Sequence, residues 1–238
     1  MSALESQIAV VTGAARGVGE AIARKLASMG ARVVLVARDR ERLTAVQQKI
    51  QSAGGQASVL PCDLLDVAAV EDLGRQIARD HQRCDILVNN AGIARGGKPL
   101  HEMAPDDWDL TMNTNLRGPY LMIRALAPLM IAARSGHIIN LSSLAGRNPL
   151  PGNAAYAASK WGLNGLTYSV AEELRKDNIR VSAIAPGSIN THFGDPSSDK
   201  DPNKKLQPDD IAAVVATLVT QAPQSFISEV LMRPTQKP

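Results

Sequence analysis

Aromatic residues are scarce: two Trp, three Tyr and two Phe make up 3% of the 238-residue chain. That leaves no stacking platform for single-stranded nucleic acid. Charge of one sign is scarce too. The formal net charge is +3, basic residues are spread along the chain, and the longest lysine cluster is Lys204-Lys205. This is too little for a nucleic-acid footprint. Cysteine is nearly absent. Cys62 and Cys84 stand alone without a CxxC spacing, which reads as free thiols in a reducing compartment and not as a disulfide framework. His81, His101, His137 and His192 are scattered and suggest no metal site. No long hydrophobic run occurs. The most apolar stretch, 116–133, is broken by Arg117, Arg124 and Pro128, so it reads as a buried helix and not a membrane span. The start carries Glu5 and no basic segment. No signal peptide is visible, and a cytoplasmic protein is expected.

What is present is a soluble composition, 45% hydrophobic and 21% charged, in a length that suits one large domain over 1–238. Short β-branched runs at 8–11, 33–36, 57–60, 86–88, 138–141 and 181–184 read as strands, with a seventh at 227–233. Several are apolar without alternation, as for strands covered on both faces. Helical patterns lie between them at 18–29, 40–53, 66–80, 108–133, 153–177 and 208–221. Strand then helix, repeated, predicts an α/β fold: a doubly wound, seven-stranded parallel sheet with helices on both faces. Ligands bind such sheets at the carboxyl ends of the strands. The segment 188–207 holds Pro196, Pro202, paired serines and many charges, and reads as a short mobile substrate loop.

The residues after the first strand are "TGAARGVG", 12–19. Gly13, Gly17 and Gly19 follow a G-x-x-x-G-x-G spacing, one residue longer than the common dinucleotide motif. Glycines permit a tight turn and close backbone approach, and the following helix aims its N-terminus at a pyrophosphate. The second strand reads "RVVLVARDRERL". Where an acid for the ribose 2′-hydroxyl is expected stands Ala37, followed by Arg38. A cation there suits a 2′-phosphate, so NADP(H) is favoured over NAD(H), and Arg16 in the glycine loop can approach the same phosphate. Asp39 comes a little late for the ribose acid and keeps NAD open.

"AAYAASKWG", 154–162, sets Tyr156 and Lys160 four residues apart, on one face of a helix. Read alone, such a pair is a solvated helix surface. Read with the glycine loop, it is an acid with its tuning charge. A free tyrosine titrates near 10, and a nearby ammonium stabilises the phenolate. Lowering the pKa by about three units takes roughly 4 kcal/mol.

Taken together, "TGAARGVG", "CDLLD" at 62–66, "NNAG" at 89–92, "TNLRG" at 114–118, "IINLSSLAG" at 138–146, "YAASK" at 156–160 and "APGSINT" at 185–191 occur in order. The chain resembles the short-chain dehydrogenase/reductase family over residues 6 to 233, with the look of 3-oxoacyl-thioester (acyl-carrier-protein) reductases. The resemblance implies a catalytic set of Asn115, Ser143, Tyr156 and Lys160. Tyr156 would give a proton to a substrate carbonyl, Ser143 would hold that oxygen, and Asn115 would position a water leading to Lys160. It implies cofactor contacts from Gly13, Arg16, Gly17, Val18 and Gly19, from Arg38, from Asp63 and Leu64 at the adenine, and from Asn90, Ala91 and Gly92 at the ribose. Pro186, Gly187, Ile189 and Thr191 would flank the nicotinamide, and Tyr156 and Lys160 would also touch the cofactor. The expected activity is hydride transfer between NADP(H) and a small carbonyl or alcohol, a ketone or 3-oxoacyl thioester. An NAD-dependent alcohol dehydrogenase of the same family is the alternative. A non-catalytic dinucleotide-binding regulator is a third reading, against which both Tyr156 and Lys160 argue. Neither nucleic acid nor membrane is an expected partner. The surplus apolar surface of the helices at 108–133 and 153–177 predicts a homodimer or homotetramer. Two departures from the family stand out: "RKDNIRV" puts Asp177 near the place of a carrier-docking base, and the chain ends "ISEVLMRPTQKP" without a glycine-rich close.

Overall fold

Non-alternating apolar runs become interior strands. β1 (Ile8–Thr12), β4 (Ile86–Asn89) and β5 (Gly136–Leu141) are buried at every position. In the computed structural model, which describes residues 2–191, 193 and 201–236, they sit at the centre of a seven-stranded sheet. Its other strands are β2 (Arg32–Ala37), β3 (Gln56–Pro61), β6 (Ile179–Pro186) and β7 (Glu229–Met232). The order is β3-β2-β1-β4-β5-β6-β7. Every pairing is parallel.

Side chains alternate across the sheet and divide the core in two. Ala9, Val11, Val33 and Leu35 face one layer, built with α1 (Gly17–Ser28), α2 (Arg40–Ser52) and α7 (Pro208–Val219). Ile8, Val10, Val34 and Val36 face the other, built with α3 (Val67–His81), α5 (Gly118–Ala133) and α6 (Ala154–Leu174). A strand buried on both faces needs no polar alternation, which is why the runs read as they do. The order reverses between β1 and β4, so a crevice opens at the carboxyl ends of those two strands.

The helical pattern at 108–133 is not one helix. α4 (Pro105–Met112) passes through a π turn, Asn113–Arg117, into α5. The amide of Gly118 donates to the carbonyl of Asn113, five residues back. Pro119 supplies the cause, because it has no amide to continue the ordinary ladder. The pattern at 153–177 likewise ends as a helix at Leu174 and closes with a short 3₁₀ turn, Arg175–Asp177.

Candidate active site

The glycine turn after β1 is built for close approach. Gly13 and Gly17 hold φ of 65° and 59°, a region side chains disfavour. A Cβ on Gly19 would stand 2.2 Å from the Gly13 carbonyl oxygen. Arg16, exposed, is the N-cap position of α1, and Val18 lies in its first turn. The turn is tied to β4 through Thr12, whose hydroxyl receives the amides of Asn90 and Ala91 at 3.0 and 3.1 Å and donates to the Val88 carbonyl at 3.3 Å. The Asn90 side chain donates to the Thr12 carbonyl at 2.9 Å. Thr191 closes over the turn: a Cβ on Gly17 would meet its methyl at 3.5 Å.

The other predicted cofactor residues also stand at strand ends. Arg38 follows β2, exposed and without an ion pair among the described residues. Asp39 is committed elsewhere. It caps α2 by accepting the Arg42 amide at 3.0 Å and pairs with the Arg42 guanidinium at 3.1 Å. Asp63 follows β3 and accepts the Leu65 amide at 3.0 Å, while Leu64 packs into the core. Gly92 adjoins the catalytic set: a Cβ there would lie 3.2 Å from Asn115 Oδ1 and 3.7 Å from Lys160 Nζ. Pro186 ends β6, and the Gly187 amide donates to the Met232 carbonyl at 2.8 Å.

The expected substrate loop is anchored at both ends. Ile189 bridges to Leu206, and the Asn190 amide donates to the Leu206 carbonyl at 2.8 Å. Residues 192 and 194–200, the middle of that expectation, lie outside the described residues. Phe193 is described, and its ring centroid stands 6.0 Å from that of Tyr156 at a tilt of 58°.

The four predicted catalytic residues converge. Lys160 is buried, with Nζ donating to the Leu141 carbonyl at 2.7 Å and lying 5.8 Å from the Tyr156 ring centroid. Ser143 follows β5, and its oxygen accepts the Ala145 amide at 3.1 Å, which leaves its proton free to be donated. Ser142 has the strand-end role: its amide donates to the Ile184 carbonyl at 2.7 Å.

Asn115 and Tyr156 make contacts that the sequence alone does not show. Asn115 is fully buried, but its amide is occupied. It accepts from the Ile93 amide and donates to the Ile93 carbonyl, both at 2.8 Å, and donates to Ser159 at 3.0 Å. It clamps the loop after β4 to α6, and its side chain has no donor left for a water. Its main-chain carbonyl is different, because Pro119 deprives it of the usual donor four residues on. At Tyr156, burial raises the pKa, and contact with Ser143 lowers it only in part. Burial also lowers Lys160 to about 8. Desolvation is the largest influence on both groups.

Sequence reading missed Thr12, Ser159 and a chain of buried amides. Asn89 donates to Asn140 at 2.8 Å, and Asn140 donates to Thr167 on α6 at 2.9 Å, fixing β4, β5 and α6 together. Thr12 could have been found from its place between strand and glycine. The amide chain joins residues too far apart in sequence to pair by eye. Among the described residues no group of three His, Cys, Asp or Glu could hold a metal ion, and no helix is long and apolar enough to cross a membrane.

The chain matches the short chain dehydrogenase family over residues 7–202. It is similar to a metagenomic short-chain oxidoreductase solved in complex with NADP, at 56% identity and a TM-score of 0.89, covering 99% of this chain and 100% of that one. An alcohol dehydrogenase from Thermococcus sibiricus, solved with 5-hydroxy-NADP, aligns at 28% identity and a TM-score of 0.90 over 98% of each chain. A 3-oxoacyl-[acyl-carrier-protein] reductase of Synechocystis is 36% identical over 96% of this chain and 95% of its own. An uncharacterized oxidoreductase of Staphylococcus epidermidis is 33% identical over 98% of this chain and 100% of its own. With its glycine turn, its Tyr-Lys pair and its all-parallel sheet, the chain belongs to the short-chain dehydrogenase family of NAD(P)-dependent oxidoreductases.

Proposed function

We propose that this protein is an NADP(H)-dependent reductase of ketones, with Ser143, Tyr156 and Lys160 as its catalytic residues and Asn115 as the clamp that aligns them. The observation that carries the reading is the meeting of Ser143 and Tyr156 above the buried Lys160 ammonium, beside a glycine turn that has no room for a side chain. The turn fits a dinucleotide pyrophosphate, held by Gly13, Gly17, Val18 and Gly19 at the N-terminus of α1. The bound cofactor supplies hydride to a carbonyl carbon or takes it from an alcohol.

The chain's own groups then handle the oxygen. Ser143 donates to it with its free proton. Tyr156 gives up its phenol proton to the same oxygen. A phenol raised by burial stays protonated at neutral pH, which suits a donor in the reducing direction. Lys160, lowered to about 8, sits close enough to neutrality to pass a proton onward. Asn90, Ala91 and Gly92 would hold the ribose, Pro186, Gly187, Ile189 and Thr191 the nicotinamide, and Asp63 and Leu64 the adenine.

NADP(H) is preferred because the end of β2 offers cations and no free acid. Ala37 is neutral, Asp39 caps α2, and Arg38 and Arg16 are exposed without ion pairs among the described residues. The NADP bound to the 56% identical relative supports this. The likeness to a 3-oxoacyl reductase favours a second reading, a 3-oxoacyl thioester as substrate. Docking of an acidic carrier is disfavoured, because Arg134 is paired with Asp177 at 3.6 Å and donates to the Lys176 carbonyl at 3.0 Å. Assembly through α5 and α6 is part of the proposal. Trp161 and Tyr120 are exposed there, and Tyr120 lines an apolar hollow of about 410 Å³; light scattering at micromolar concentration should show no monomer.

The test is NADPH oxidation with a panel of ketones, aldehydes, a free 3-oxoacyl thioester and its carrier-bound form. Turnover of ketones with no gain from the carrier is expected. A panel on which only the carrier-bound thioester reacts would overturn the reading.

A further inference from the structure

Arg147 lies four residues past Ser143 and belongs to none of the motifs above. Its guanidinium meets the Glu229 carboxylate at two points, Nε to Oε1 at 2.9 Å and Nη2 to Oε2 at 2.7 Å. It also lies over the Tyr168 ring, 5.3 Å from the centroid, and donates to the Tyr168 hydroxyl. One side chain thereby joins three elements: the turn that bears Ser143, the helix that bears Tyr156 and Lys160, and the edge strand β7.

The turn between Ser143 and Arg147 is short and tightly held. The Gly146 amide donates to the Ser143 carbonyl at 2.9 Å, and the Arg147 amide donates to the Leu144 carbonyl at 3.0 Å. From α6, the Asn164 side chain donates to the Gly146 carbonyl at 2.9 Å. A Cβ on Gly146 would lie 2.9 Å from the Lys160 carbonyl oxygen. The turn is fixed to α6 by Asn164 and to β7 by the Arg147–Glu229 pair.

The pair is not surface decoration. Its side chains are 34% and 22% exposed, its geometry is bidentate, and an aromatic face supports it. Exposed single-point pairs contribute little and fix nothing. A hydroxyl that must meet a substrate oxygen is sensitive to displacements of about 1 Å, which can cost a hundredfold in rate. We infer that Arg147, held by Glu229 and Tyr168, is a positioning residue that sets the Ser143 hydroxyl against the substrate oxygen. The inference rests on the role proposed above for Ser143.

Kinetics in two backgrounds test it. Arg147→Met and Glu229→Gln are each made in the wild type and in Ser143→Ala, and kcat, KM and the NADPH Kd from nucleotide fluorescence are measured. Arg147→Met should lower kcat by about ten- to a hundredfold in the wild type, with the NADPH Kd within about twofold. In Ser143→Ala it should add less than about twofold, because the group it positions is gone. Glu229→Gln keeps the shape of the side chain, should lower kcat about three- to tenfold, and should show the same loss of effect in Ser143→Ala. The double reversal Arg147→Glu with Glu229→Arg should recover most of kcat. Equal losses in both backgrounds, or a wild-type kcat in both single variants, would overturn the inference while leaving the Ser143 role intact. A Ser143→Ala enzyme with undiminished kcat would instead overturn the Ser143 role and this inference with it.

Discussion

At the amino end of the sheet, polar residues close on one another. Asp85 accepts the Ile8 amide at 2.8 Å and holds Arg83 through two bonds of 2.9 and 2.6 Å. His137 shares a hydrogen bond of 2.8 Å with Ser182, which donates to the Ile227 carbonyl at 2.6 Å. At the carboxyl end, residues of the same kinds are left open toward the crevice. Arg16 and Arg38 are exposed and lack ion pairs among the described residues. Lys160 is buried against a carbonyl, with no ion pair among the described residues. Ser143 keeps its proton. Gly13 and Gly17 hold positive φ there too. One end resolves most of its polar groups, leaving His137 Nδ1 and Arg180 Nη1 buried without a hydrogen bond among the described residues, and the other holds them ready for a ligand at some cost in desolvation.

Breaking the open end should remove binding and spare folding. Gly19→Val puts a branched side chain where a Cβ already stands 2.2 Å from backbone. NADPH affinity should fall by about a thousandfold or more, roughly 4 kcal/mol. Isothermal titration measures this, and a cooperative thermal transition should persist.

Breaking the closed end should do the reverse. Burial, with the Arg180 charge adding to it, lowers His137 from 6.5 to about 3. The folded His137 resists a proton that the unfolded chain accepts near 6.5. Its contribution to stability is therefore complete above about pH 6.5 and lost as pH falls toward 3, a loss on the order of 4 kcal/mol. Denaturant titrations from pH 8 to 4 should show the decline. His137→Leu should flatten it and leave kcat near the wild-type value at pH 7.

A finer test concerns cofactor choice, where the open end offers cations and no acid. One or two charged contacts, each about 1.5–3 kcal/mol, should favour NADPH over NADH by roughly ten- to a thousandfold in kcat/KM. Ala37→Asp with Arg38→Ser should invert the preference, since the new acid repels the phosphate and accepts from the ribose hydroxyl. A wild-type preference for NADH would put Asp39 in place of Arg38 as the deciding residue.

The closed and open ends were not equally legible in the sequence. Strand positions and the parallel sheet could be read because interior parallel strands are apolar on both faces, as in Ile8–Thr12 and Gly136–Leu141. The glycine turn and the Tyr156–Lys160 pair could be read because their geometry is local. The π turn at Asn113–Arg117 could not be seen in hydrophobic periodicity, although Pro119 marks its cause. The commitment of Asn115 to Ile93 and of Arg147 to Glu229 depends on contacts 22 and 82 residues away in sequence. The desolvation around Tyr156 could not be read for a related reason. Four residues of spacing place a lysine nearby, but only the packed structure shows how much water both groups lose.

The most direct test of the central claim is a pair of values for Tyr156→Phe: kcat with NADPH and a ketone turned over by the wild type, and the NADPH Kd. The variant keeps the ring and removes the proton. The expected result is a kcat lower by about 10²–10⁴-fold, the range of a positioned acid, with the Kd within a few fold. A variant that retains more than about a tenth of wild-type kcat would show that Tyr156 is not the proton donor, and the open end would have to be read as a binding surface alone.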